Sequence, residues 1–342
     1  MERAALFSGT ARMSGLVGLL LAANLAAWGF TFAVFHSHPL LIGTALLAYG
    51  LGLRHAVDAD HIAAIDNVTR KLMQARKRPA AVGLFFSLGH STVVVLASAA
   101  LALTAAAFRQ QFDTVRDIGG LVGTLVSSGF LLLIGIINLA ILAPVLQGIR
   151  RLRAGGAVAE GDLDRLPAGL VARLLRPLLG LIGASWQMYP LGFLFGLGFD
   201  TASEIGLLGI AAAEGAHAMP LWSIMVFPAL FAAGMALVDT LDGMLMLGAY
   251  GWAFREPLRK LYYNLAITLV SALVALLIGG VEALGLIGDR LELRGALWSG
   301  IAALGRHSGA VGWAIVAMFA ASWLGAMALH RARGLRRPQA EG

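Results

Sequence analysis

The chain has no cysteine among its 342 residues. That excludes disulfides, thiolate metal ligands and any chemistry run on a sulfur nucleophile. Charge is scarce too: Asp, Glu, Lys and Arg make up 13% of the residues, against about a quarter in an ordinary soluble domain. There is no Gly-x-x-x-x-Gly-Lys-Ser/Thr phosphate loop and no His-Glu-x-x-His stretch. Neither nucleotide hydrolysis of the P-loop kind nor zincin-type proteolysis has its sequence signature here.

What is abundant is apolar. Hydrophobic residues account for 58% of the chain, and mean hydropathy is +0.79. With 43 glycines, which let membrane helices approach closely, this is the composition of an all-α polytopic membrane protein. A span needs about 20 apolar residues. Eight stretches qualify: Met13–Phe35, Leu40–Ile65, Ala80–Phe108, Ile118–Gln147, Leu178–Ala213, Leu221–Trp252, Leu261–Leu286 and Gly309–Leu329. The run from Leu16 to Phe35 is too long for a signal-peptide core and reads as a retained first span. Gly295–Leu304 is apolar but too short to cross, and suits a re-entrant or surface helix.

The formal charge of +7 is not a nucleic-acid patch, because the Lys and Arg residues fall in alternate loops. Twenty lie in one set, including Arg70, Lys71, Arg76, Lys77, Arg78, Arg150, Arg151 and Arg153. Five lie in the other: Arg109, Arg116, Arg290, Arg294 and Arg306. This asymmetry predicts cytoplasmic termini. The expected organisation is an N-terminal half, 1–147, with spans one to four, and a basic cytoplasmic loop at 148–177. A C-terminal half, 178–333, with spans five to eight, precedes a disordered tail at 334–342.

Against this background Arg54-His55-Ala56-Val57-Asp58-Ala59-Asp60-His61 stands out. An ionisable side chain at membrane depth costs about 2.5–3.5 kcal/mol and is a functional candidate by default. On an unbroken helix, at about 100° per residue, His55, Asp58 and His61 share one broad face and Asp60 points away. A local unwinding would let Asp60 and His61 bind together. Further polar residues follow in span three (His90-Ser91-Thr92), span five (Asp200, Ser203, Glu204) and span six (Asp239, Asp242). The polar groups of spans two and three precede those of spans five and six by three spans, the arithmetic of an inverted repeat. Met235 and Met246 flank the span-six aspartates and are read as packing.

Six carboxylates at membrane depth, opposed by Arg54 alone, would cost about 15–20 kcal/mol if left uncompensated. A cation pathway, with proton exchange, resolves that imbalance. Imidazole with carboxylate suits nickel, cobalt, zinc or copper(II). The residue chemistry alone stops at a first-row divalent metal.

At these residues the chain resembles the nickel/cobalt transporter family, the secondary permeases for Ni²⁺ and Co²⁺. Its signature is His-x4-Asp-His in the second span, here His55…Asp60-His61. Three more family motifs occur in order: Leu88-Gly89-His90-Ser91-Thr92, Leu197-Gly198-Phe199-Asp200-Thr201-Ala202-Ser203-Glu204, and Gly234-Met235…Asp239-Thr240-Leu241-Asp242-Gly243. Ser203 stands where the family has threonine, and either hydroxyl serves.

The resemblance implies high-affinity import of Ni²⁺ or Co²⁺ across a bacterial inner membrane, with both termini cytoplasmic. The metal is substrate rather than cofactor, and no prosthetic group, ATPase subunit or nucleic acid is implied. By position, His55, Asp58, Asp60 and His61 inherit metal binding, and His90, Asp200, Glu204, Asp239 and Asp242 inherit supporting pathway roles. Export by a related permease and intramembrane metallohydrolysis are the competing readings. The first is disfavoured because loop 148–177 has no His-rich run, the second because its motif is missing.

Overall fold

The computed structural model describes residues 2–75, 77, 79–104, 109–153, 182–198, 202–217, 219–253, 257–318 and 321. The regular structure among them is helical, with no strand. The helices are α1 (Glu2–Phe35), α2 (Pro39–His55), α3 (Ala59–Gln74), α4 (Val82–Thr104) and α5 (Arg109–Arg153). After a 3₁₀ turn (Ser185–Gln187) come α6 (Met188–Gly196), α7 (Ala202–Ala216), α8 (Leu221–Ile224), α9 (Val226–Ala253), α10 (Pro257–Arg290) and α11 (Ala296–Arg306). The last is α12 (Ser308–Met318).

Five stretches are single helices, or nearly so, long and apolar enough to cross a bilayer: Met13–Phe35, Val82–Leu103, Asp117–Ala140, Leu221–Gly251 and Thr268–Arg290. The second expected span reaches that length only as α2 and α3 together, bent by 51°. The fifth expected span is divided between α6 and α7, and α12 is the described part of the eighth. Gly295–Leu304 falls on the separate short helix α11. Most of loop 148–177, the position of Asp200 and the tail 334–342 lie outside the described residues.

The bundle is inside-out relative to a soluble protein. Leu25, Leu40, Leu103 and Leu277 are exposed, while polar residues such as Asp58, His61, Asp66, Arg70 and Asp239 are buried. In hydrocarbon there is no water to satisfy polar groups, so they gather inside the helix bundle. Helix α5 packs along α10, α2 lies on α9, and α4 runs between α6, α7 and α9. The closeness of α4 to α6 depends on glycine. A Cβ on Gly89 would run into the Tyr189 carbonyl, and one on Gly192 into the Phe86 carbonyl.

Sequence reasoning ended the second span at Ile65 and assigned Arg70 to a cytoplasmic loop. Instead α3 continues to Gln74, and its second half carries a buried polar network. Asp66 accepts hydrogen bonds from Tyr250 of α9 and, at 2.7 Å, from Ser271 of α10. Arg70, only 2% exposed, donates to Thr268 Oγ1 at 3.1 Å and to Asn67 Oδ1 at 3.2 Å. Asn138 of α5 also donates to Asn67 Oδ1. Four helices are thereby tied together by groups that lose their partners if any helix moves away.

Two substitutions test this packing. Tyr250→Phe leaves one Asp66 oxygen without its donor and is expected to cost about 1–3 kcal/mol, read as a lower thermal midpoint of the detergent-solubilised protein. Gly192→Val forces α6 away from α4, with an expected cost of about 1–3 kcal/mol or more by the same measurement.

Candidate metal centre

Three histidines meet where α2 gives way to α3. His55 ends α2, His61 lies in the first turn of α3, and His90 comes from the middle of α4. Their ring centroids form a nearly equilateral triangle: 4.6 Å for His55–His61, 4.8 Å for His55–His90 and 4.9 Å for His61–His90. One ring nitrogen of each can be chosen so that all three lie within 4.8 Å of one another. All three residues are at most 3% exposed.

The chain makes this cluster by breaking the helix. Residues 57 and 58 leave the α-helical ladder, with Val57 N–H bonding to Arg54 O at 3.1 Å and Asp58 N–H to His55 O at 2.9 Å. Such tight turns finish α2. Asp58 then takes an extended conformation as the residue before α3. The face shared by His55, Asp58 and His61 on an unbroken helix is therefore replaced by a corner. His61 is swung back toward His55 across that corner.

Each imidazole is backed by a carboxylate from a different place in the chain. His55 Nδ1–H donates to Asp58 Oδ2 at 3.1 Å. His61 Nδ1–H reaches both oxygens of Asp239, on α9, at 3.3 Å. His90 Nε2 lies 2.9 Å from Glu204 Oε1, on α7, and 2.9 Å from His55 Nε2. Tethering Nδ1 of His55 and His61 to carboxylates leaves their Nε2 atoms as the lone-pair donors. His61 Nε2 is buried with no hydrogen-bond partner among the described residues. Asp58, Glu204 and Asp239 are themselves buried. Arg54 Nη2 stands 3.6 Å from Asp58 Oδ1, with its side chain 38% exposed, and Nη1 donates to Ser203 of α7.

The sequence-derived candidates are thus separated by the fold. His55 and His61 face each other with His90, which sequence reasoning had ranked as supporting. Asp58 touches His55. Asp60 is half-buried and makes no hydrogen bond or ion pair among the described residues. Glu204 and Asp239 each hold a histidine. Asp242 lies one turn beyond Asp239, within electrostatic reach of Asp239 and Asp66, and its Oδ2 has no hydrogen-bond partner. Met235 and Met246 lie in apolar clusters. Sequence reasoning missed Asp66, Asn67 and Arg70. The signal was available, since Ile62, Ile65, Val68 and Leu72 continue the helical spacing of apolar residues past the point where the span was ended.

Comparison with known proteins identifies the family. Residues 41–329 match the family described as high-affinity nickel-transport protein. A high-affinity nickel transport protein of Cupriavidus necator is 53% identical over 320 residues, covering 93% of this chain and 91% of the relative. Nickel transporter NixA of Staphylococcus aureus is 45% identical over 310 residues, 90% and 91% of the two chains. The cobalt transport protein NhlF of Rhodococcus rhodochrous is 40% identical over 301 residues, 86% and 85%. No solved structure matches. Matched along most of its length by this family and by such relatives, the chain belongs to the high-affinity nickel-transport family.

Proposed function

We propose that the chain imports Ni²⁺, and Co²⁺ where available, across the bacterial cytoplasmic membrane as a secondary permease, and that the cation passes through the three-histidine centre. The observation that carries this reading is the convergence of three buried imidazoles, two of them held from behind at Nδ1 by Asp58 and Asp239 and the third, His90, with Glu204 beside the nitrogen that faces the cluster. Asp58, Glu204 and Asp239 bring three negative charges and Arg54 one positive charge. With Asp60 also within electrostatic reach of His55 and His61, the centre carries an excess of negative charge that a divalent cation offsets and that would be costly in hydrocarbon if left alone.

The ligands of the passing ion are His55 Nε2, His61 Nε2 and His90 Nε2, with Glu204 Oε1 as a neighbouring oxygen. At metal–imidazole bonds of about 2.0–2.1 Å, nitrogens at a right angle stand ~2.9 Å apart and at a tetrahedral angle ~3.3 Å. The His55 and His90 Nε2 atoms, 2.9 Å apart, are close enough to share one ion. A nitrogen must lose its proton to bind metal. Glu204 Oε1, 2.9 Å from His90 Nε2, is placed to accept one. Asp239 and Asp58 hold the other two rings in the correct tautomer.

No ATP-binding loop is needed. A dication moving to the negative side gains ~4.6 kcal/mol per 100 mV of membrane potential, enough for a concentration ratio above three orders of magnitude. The Lys and Arg asymmetry between loops supports cytoplasmic termini, so α2 descends from the outside toward the centre.

Cellular accumulation of radioactive nickel tests the assignment. His55→Ala, His61→Ala and His90→Ala are each expected to lower uptake at least tenfold, since loss of a second-layer partner alone already costs about 10–100-fold in metal affinity. Equal accumulation by wild type and all three variants overturns the reading. Asp239→Asn keeps the shape beside His61 but removes the charge. It is expected to weaken nickel binding by about 10–100-fold, measured by calorimetric titration of the purified protein. Asp60→Asn, which removes a group that touches no imidazole, is expected to reduce uptake less than any histidine variant in the same assay.

A further inference from the structure

The last helix reaches the metal centre, although no motif of the site lies beyond span six. Ser308, the first residue of α12, donates from Oγ to Asp58 Oδ1 at 3.0 Å. The other oxygen of that carboxylate, Oδ2, accepts from His55 Nδ1 at 3.1 Å. One carboxylate is therefore shared between an imidazole of the centre and a hydroxyl 250 residues away.

The backbone of α12 is pressed against the same corner. A Cβ on Gly309 would stand 3.2 Å from Arg54 Nη2 and 3.4 Å from Asp58 Oδ1. A Cβ on Gly312 would run into the Val57 carbonyl and lie 3.2 Å from Ile62 Cδ1. Glycine at 309 and 312 lets α12 rest directly on residues 57 and 58, the middle of the break.

Asp58 has another use for its carboxylate. It is the N-cap residue of α3, a position where aspartate ordinarily accepts from the backbone N–H two or three residues on. Here it makes no side-chain capping bond. His55 holds Oδ2, and Ser308, with Arg54 Nη2 at 3.6 Å, holds Oδ1 instead. The capping geometry is the local competitor. Without the Ser308 bond, the unpaired N–H groups of the first turn of α3 compete with His55 for this carboxylate.

We propose that Ser308 is a positioning residue of the cation site: its hydroxyl, set by the glycine contact of α12, holds Asp58 on His55 and away from the α3 N-terminus. Ser308 touches no metal ligand. It acts through Asp58 on the tautomer and direction of His55, and so on affinity rather than on the passage step. This inference rests on the three-histidine centre being the nickel site.

The test compares Ser308→Ala, Ser308→Thr and Ser308→Val with His90→Ala in the full chain. Radioactive nickel uptake gives KM and Vmax, calorimetric titration of the purified protein gives Kd, and thermal unfolding reports the fold. Threonine and valine have nearly the same shape and differ in the hydroxyl, so the pair separates hydrogen bonding from packing. Ser308→Ala and Ser308→Val are expected to raise KM and Kd about tenfold, with Vmax within twofold and no fall in thermal midpoint, because Asp58 gains a cap. Ser308→Thr is expected to behave as wild type. Equal Kd for the threonine and valine variants overturns the role of the hydroxyl, whether both are impaired or neither. If all Ser308 variants bind nickel as wild type does while His90→Ala does not, this inference fails and the site assignment stands. If His90→Ala also binds as wild type, the site assignment itself is lost.

Discussion

A carboxylate in hydrocarbon must have something positive or a proton donor beside it, and the centre of this protein is built around that requirement. Asp58, Glu204 and Asp239 come from the α2–α3 corner, α7 and α9, and each finds an imidazole within hydrogen-bond reach. None of the three could be buried alone at tolerable cost. His55 and His61 need Asp58 and Asp239 in turn, because each accepting oxygen decides which nitrogen of its ring faces inward. The centre is thus an arrangement in which every charged or polar member constrains its neighbour, and the helices that carry them have little freedom to choose another register.

Two polar layers stack along α3. The first holds the imidazoles and their carboxylates. The second, one to two turns further along, holds Asp66 and Arg70 among hydroxyls and amides of α5, α9 and α10. Asp239 and Asp242 on α9 span the interval between them. The apolar clusters around Phe231, Phe86 and Tyr250 fill the space to the sides. Close approach of α4 to α6 through Gly89 and Gly192 sets α4, and with it His90, at the depth of the α2–α3 corner.

Composition alone disclosed the membrane class, and the His55–His61 segment alone marked where the buried imidazoles lie. What the sequence could not supply was the third dimension of that segment. Helical phase arithmetic assumed an unbroken rod, and no proline or glycine between residues 55 and 60 warned otherwise. The break arises because Asp58 is held by groups from distant parts of the chain, including Ser308, and tertiary contacts leave no mark on local periodicity. His90 was read as a supporting pathway residue, since a position in another span carries no clue to which side chains it meets. Ser308 was illegible for the same reason. Asp66 and Arg70 were misplaced because a charged residue near the predicted end of a span is read as having left the membrane. Here both charges are retained inside by a mutually satisfied network.

The corner between α2 and α3 has a mechanical side. No run of backbone hydrogen bonds bridges residues 56–58 in the manner of a continuous rod, so the two half-spans are stiff levers joined at a soft elbow. His55 sits at the tip of one lever and His61 at the root of the other. Opening or folding the elbow by a few degrees spreads or pinches the two rings without stretching either lever. The spacing of the two rings and the angle of a single joint are then one variable.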